Sequence, residues 1–151
     1  MAKSAGGSGK IEAEATVSWS GWGGQVEGGS GKLHAATATQ VELGGPGQAT
    51  NPEELLAAAL ANCYTSTITA HARAHNIDLA RIETRARTRL SWGENRPHHI
   101  ARGDLSVRIT TPEPEASVRK LAEEARAHCP ICNALGATAD VTLSVTVVPA
   151  R

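Results

Sequence analysis

Two segments with a helical period, each standing alone between groups of segments with a strand period, restrict this chain to a mixed architecture. From Ile11 to Trp19 the residues alternate: Ile11, Ala13, Ala15, Val17 and Trp19 fall on one face, Glu12, Glu14, Thr16 and Ser18 on the other. That is the pattern of a half-buried strand. After a Gly-rich turn, Gln25 to Gly28 and Lys32 to Leu43 read as further strands of a meander, closed by the loop Gly44-Gly45-Pro46-Gly47. The first helix has a marked start: Asn51 can cap, Pro52 suits the first helical position, and Glu53 and Glu54 sit where the helix dipole favours negative charge. It is expected to run to about His75. Leu79 to Trp92 alternates again, with Ile82, Thr84, Ala86, Thr88 and Leu90 opposite Glu83, Arg85, Arg87 and Arg89, which predicts a strand with a basic face. Pro97 to Thr110 reads as its antiparallel partner, Pro114 to His128 as a second helix, and Asp140 to Val148 as a closing strand. The order βββ-α-ββ-α-β predicts an α+β fold with two main helices instead of a wound parallel sheet.

The length of 151 residues suits one domain able to bury a core without disulfides or a metal. Met1 to Lys10 reads as a flexible leader, leaving residues 11–151 as a single domain. Phe is absent and Tyr occurs once, so Ala, Leu, Val and Ile must fill the interior. So thin a core favours burial against a second copy. A formal net charge of zero leaves no electrostatic footprint for nucleic acid or an anionic membrane. No apolar run has the length of a signal peptide core or a membrane span, and a cytoplasmic location is expected.

Chemistry concentrates in three cysteines. Cys63 lies in an Ala-rich helical run, and Cys129 and Cys132 lie in His128-Cys129-Pro130-Ile131-Cys132. In a reducing compartment close thiols are more often catalytic or metal-binding than structural. Cys63 sits roughly three turns inside its helix, too deep for the dipole to lower its pKa much. Its neighbours Ala59, Leu60 and Thr67 make a mostly apolar face, and on residues alone Cys63 reads as a small buried hydrophobe. Glu53, ten residues earlier, should stand about 15 Å away and roughly 80° round a straight helix, so the two cannot meet within it. On residues alone Glu53 is a first-turn carboxylate serving the dipole. His128 with the three cysteines could in principle ligate a metal, with His71 and His75 as a further i, i+4 pair. A single CxxC falls short of the two pairs of a zinc ribbon, and His71 and His75 are expected to be exposed near the helix C-terminus, so neither a metal nor a cofactor is expected. His34, His98 and His99 read as surface residues.

The block Ala49-Thr50-Asn51-Pro52-Glu53-Glu54-Leu55, the helix reaching Ala61-Asn62-Cys63-Tyr64, and the later His128-Cys129-Pro130 and Asn133-Ala134-Leu135 resemble the family of osmotically inducible protein C and organic hydroperoxide resistance proteins (OsmC/Ohr). The resemblance extends over nearly the whole chain after the leader. It implies an OsmC-like fold, an intertwined homodimer with sites at the subunit interface, and a cysteine-based peroxidase that reduces organic hydroperoxides to alcohols. By resemblance Cys63 matches the peroxidatic cysteine, Cys129 the resolving cysteine, and Glu53 the glutamate that organises the site. The Cys63 thiolate would become a sulfenic acid and condense with Cys129 to a disulfide. A dithiol, in the family often a lipoylated protein, would reduce that disulfide. Glu53 would serve the partner chain's site, or the helix would break between Glu53 and Cys63.

Two departures from the family pattern matter. Family members draw an arginine from the first strand hairpin, yet no Arg or Lys stands between Lys10 and Lys32. Arg85, Arg87 and Arg89 are the candidate substitutes, although a solvated strand face is their ordinary reading. Trp19 and Trp22 could widen the apolar pocket, with core packing as their ordinary use. The second departure is Cys132, an additional redox candidate, because a CxxC at a helix start can form its own disulfide. Whether Cys129 or Cys132 resolves Cys63 is a question of geometry. The alternative function is the same scaffold with weak or no peroxidase activity, acting as a small-molecule binder or a dithiol-disulfide oxidoreductase.

Overall fold

The computed structural model describes residues 9–21 and 23–150, so the expectation for Trp22 and most of the expected leader lie outside the described residues. The chain divides into two compact units, the first ending at Asn51 and the second beginning at Pro52.

The first unit is an antiparallel meander of β1 (Ala15–Ser20), β2 (Gly23–Gly28) and β3 (His34–Ala38), in that spatial order. Gly24 is required within it, because a Cβ there would stand 2.3 Å from the Ser18 carbonyl oxygen. The strand expected over Lys32 to Leu43 stops at Ala38. The carbonyls of Thr39 and Gln40 accept from the Gly47 and Gly45 N–H groups, so they leave the ladder, and the chain turns through a 3-10 segment at Val41–Leu43. Gly44, at φ 81°, ends that turn in the left-handed conformation glycine tolerates best. The expected half-buried β1 is corrected: the alternation is present, but the strand forms an edge and is exposed along its whole length, with Val17 55% and Trp19 50% exposed. Trp19 therefore is not a core residue. Its indole N–H donates to the Gly21 carbonyl at 2.7 Å, and its ring borders an open surface hollow of about 400 Å³.

The second unit contains α1 (Pro52–Ala74), β4 (Arg81–Gly93), β5 (Arg96–Thr111), α2 (Glu115–His128), α3 (Pro130–Gly136) and β6 (Asp140–Pro149). Its sheet order is β4-β5-β6, with β4 and β5 antiparallel. The pair β5 and β6 is parallel, because α2 and α3 carry the chain back along the sheet between them. A short third helix, α3, adds to the two main helices the sequence predicts. It begins where Pro130, which cannot donate a backbone hydrogen bond, follows an extended Cys129 at φ −75° and ψ 114°.

The core lies between helices and sheet. On α1 the buried residues Leu60, Tyr64, Ile68 and Ala72 recur every four positions, one continuous stripe. They pack with Val118, Leu121, Ala122 and Ala125 of α2 and with Leu105, Val107 and Ile109 of β5. On β4 the expected alternation holds, since Ile82, Thr84, Ala86, Thr88 and Leu90 are half-buried and Arg81, Glu83, Arg85, Arg87 and Arg89 exposed. α1 ends at Ala74; two residues on, Asn76 with a positive φ of 54° breaks the helical path while the Ile77 N–H closes on the Ala72 carbonyl. Among the described residues no helix is long and apolar enough to cross a membrane.

Candidate thiol site

The site is built from the middle of α1 and the junction between α2 and α3. Cys63 is half-buried on α1, one position before the fully buried Tyr64, so its thiol lies at the margin of the core. Cys129 is fully buried and caps α3: its sulfur accepts from the Cys132 N–H at 3.4 Å. All three thiols are free.

Cys129 stands between the other two. Its sulfur lies close enough to the Cys63 thiol on one side and to the Cys132 thiol on the other to act on the electrostatics of both. The three sulfurs do not converge to mutual distances within 4.8 Å, because among the described residues only His71, His75 and Glu124 form such a set of three. The arrangement is a row, Cys63 to Cys129 to Cys132. In it, Cys129 is the immediate neighbour of Cys63.

Burial dominates the electrostatics. It pushes the Cys63 thiol above its ordinary value, opposed by a hydrogen bond from the Ile131 N–H in the first turn of α3. The Thr67 hydroxyl acts in the same direction as Ile131, but it has one proton and already donates it to the Cys63 carbonyl at 2.9 Å. The Ile131 N–H is therefore the principal donor. Burial, reinforced by Cys129, pushes Cys132 up to about 12. Among the described residues Arg126 is the cation that acts on Cys132, which it tempers, and its guanidinium also donates to the Val141 carbonyl. None of Arg85, Arg87 and Arg89 is among the groups acting on Cys63. Sequence reasoning missed Arg126, three residues before Cys129, and Ile131, whose contribution is a backbone group.

Glu53 is not brought to Cys63 within one chain. It occupies the first turn of an α1 that continues unbroken to Ala74, which removes the option of a helix break between them. The Glu53 backbone carbonyl accepts from the Thr88 hydroxyl of β4 at 3.0 Å, anchoring that end of α1 on the sheet.

An α+β unit with a row of three reduced thiols where two helices meet defines the class of protein. Residues 45–144 match the family described as OsmC-like protein, and the chain belongs to that family. An organic hydroperoxide resistance protein OsmC from Legionella pneumophila, described as a predicted redox protein and regulator of sulfide bond formation, is 31% identical. It superposes with a TM-score of 0.80 over 92% of this chain and 99% of its own. An organic hydroperoxide resistance protein described as putative, from Vibrio cholerae and crystallised with captopril in one of its active sites, is 26% identical. It matches 91% of this chain and 93% of its own at a TM-score of 0.75. A third, from Elizabethkingia anophelis, shares the fold at 24% identity and a TM-score of 0.80, over 93% of this chain and 99% of its own. Among curated proteins none matches the sequence.

Proposed function

We propose that this protein is a thiol-dependent peroxidase that reduces organic hydroperoxides to alcohols. The observation that carries the reading is the contact between the half-buried Cys63 thiol and the fully buried Cys129. An outer thiol can meet a substrate, and the inner one is held in reserve. Cys63 as thiolate attacks the distal peroxide oxygen; the O–O bond breaks, the alkoxide leaves as alcohol, and Cys63 becomes a sulfenic acid. Cys129 then displaces water from that sulfur, and the two close to the roughly 2.05 Å of a disulfide. A dithiol reductant, by family resemblance a lipoylated protein, returns both to thiols. The names of the Legionella and Vibrio relatives, organic hydroperoxide resistance proteins, support the substrate class.

Glu53 is assigned to organise the site of a partner subunit in a homodimer, since its own Cys63 lies about 15 Å along the same helix. Residues 11–151 act as one domain in this reading, and the cytoplasm is its compartment. Cys132 is assigned as an additional redox thiol. That assignment also supports the second reading, dithiol-disulfide exchange, because Cys129 at the cap and Cys132 three residues on stand in hydrogen-bonding contact.

The test is consumption of cumene hydroperoxide, tert-butyl hydroperoxide and hydrogen peroxide by the reduced protein, with dithiothreitol or dihydrolipoamide, beside Cys63→Ser. Turnover that prefers the organic peroxides and disappears in Cys63→Ser is expected. Absence of turnover with all three peroxides overturns the peroxidase reading in favour of exchange or binding.

A further inference from the structure

Away from the thiols, the ends of α1 and α2 bring together side chains that the peroxide chemistry does not use. His71 lies in the last turn of α1 and His75 just past its end, with its N–H on the His71 carbonyl, so the two stand one turn apart. On α2, Glu124 and His128 have the same spacing. Where the helices pack, ligand atoms of His71, His75 and Glu124 all lie within 4.8 Å of one another, and His75 Nε2 is 3.7 Å from Glu124 Oε2. Ligands of a tetrahedral zinc ion, at bond lengths of about 2.0–2.2 Å, are separated by roughly 3.4 Å, so modest side-chain rotation closes the set.

His128 completes the surroundings. Its ring centroid is 5.0 Å from that of His71, and its Nδ1 is 2.8 Å from the Glu124 backbone carbonyl. That contact makes Nδ1 the protonated nitrogen of the neutral ring and leaves Nε2 with its lone pair. A surface ion pair would account for His75 and Glu124 alone. It would not account for the two further imidazoles, His71 and His128, that stand beside them. A divalent cation with a preference for imidazole nitrogen would engage His71, His75 and the Glu124 carboxylate together.

We propose that His71, His75 and Glu124 form a binding site for a zinc-class divalent metal ion, with the fourth position open to solvent beside His128. Lys120, whose ammonium is 3.9 Å from Glu124 Oε1, is the competing cation. The metal would join the C-terminal part of α1, the helix of Cys63, to α2, which leads directly into Cys129.

The experiment is titration of the reduced, metal-free full chain with Co²⁺, read by absorption, and with Zn²⁺, read by calorimetry and thermal unfolding. One Co²⁺ per chain is expected, with visible d–d bands and without the near-ultraviolet charge-transfer band of cobalt-bound thiolate. His71→Asn and Glu124→Gln should each weaken binding by more than about 100-fold, beyond the roughly 10–100-fold cost of losing an outer-shell partner. Both should retain the parent circular dichroism and lose the zinc-dependent rise in unfolding temperature. Lys120→Met should tighten binding. Failure to take up stoichiometric metal overturns the site. So does uptake with a thiolate charge-transfer band that His71→Asn leaves unchanged, which places the ion on the cysteines.

Discussion

The hydroxyl of Tyr64 donates a hydrogen bond to the backbone carbonyl of Ala122 at 3.1 Å, in an interior where both residues are fully buried. This bond fixes α1, one residue beyond Cys63, against α2, seven residues before Cys129. The register of the two thiols is thus held by a polar contact inside an apolar core. Tyr64 is also the only tyrosine of the chain, in a protein without phenylalanine.

Tyr64→Phe should keep the packing of the ring and leave the Ala122 carbonyl without its donor, at a cost of about 1–3 kcal/mol. Urea unfolding would register this as a lower midpoint with an unchanged slope. An unchanged midpoint would mean that the bond contributes nothing net.

Removing Cys129 should separate the two halves of the proposed thiol cycle. In Cys129→Ala one equivalent of cumene hydroperoxide should leave Cys63 as a sulfenic acid, and excess should drive it to the sulfinic state, as read by intact-mass spectrometry. Cys132→Ala should still form the Cys63–Cys129 disulfide, because Cys129 is the thiol in contact with Cys63. Equal failure of both variants would show that the row of sulfurs does not set the pairing.

The reactivity of Cys63 should climb with pH. Its thiol is raised above the ordinary 9.0 by burial, so the thiolate is a minor species at neutrality and alkylation by iodoacetamide should have a midpoint above that value. A midpoint near neutrality would require a cation other than those the described residues bring to Cys63.

Cys132 should make folding sensitive to alkali. Its pKa rises from 9.0 in the free thiol to about 12 in the fold, so the unfolded chain releases this proton first. The stabilisation is whole below pH 9.0 and is lost progressively as pH approaches 12. Cys132→Ala should flatten that decline in unfolding free energy between the two values.

Thr67→Val tests which donor governs Cys63. Because the Thr67 proton is committed to the Cys63 carbonyl, alkylation of Cys63 should slow by no more than about threefold, equivalent to about 0.6 kcal/mol. A much larger fall would transfer the principal role from the Ile131 N–H to the Thr67 hydroxyl.

Much of the fold was legible because period and punctuation are local. The alternation from Ile82 to Leu90 gave the two faces of β4, and Asn51-Pro52-Glu53-Glu54 located the start of α1 to within a residue. What the sequence could not convey was partnership. The same alternation over Ile11 to Trp19 predicts a buried face, yet β1 is an exposed edge. Likewise, the alternating residues of β6 carried no sign that it joins β5 in parallel, and the two spacings, His71 to His75 and Glu124 to His128, did not reveal that their faces meet. At the thiols, the chain named all three cysteines but not their order in space. Nor could it show that the group opposing burial at Cys63 is a main-chain N–H, which every residue but proline possesses.

The Cys129 sulfur is at once the cap of α3 and the middle member of the thiol row. A sulfur drawn into a disulfide with Cys63 becomes a poorer acceptor for the Cys132 N–H, so oxidation should loosen the first turn of α3. The rate at which the Cys132 amide exchanges with deuterium would then gauge the redox history of the molecule from within its backbone, with no need to label a thiol.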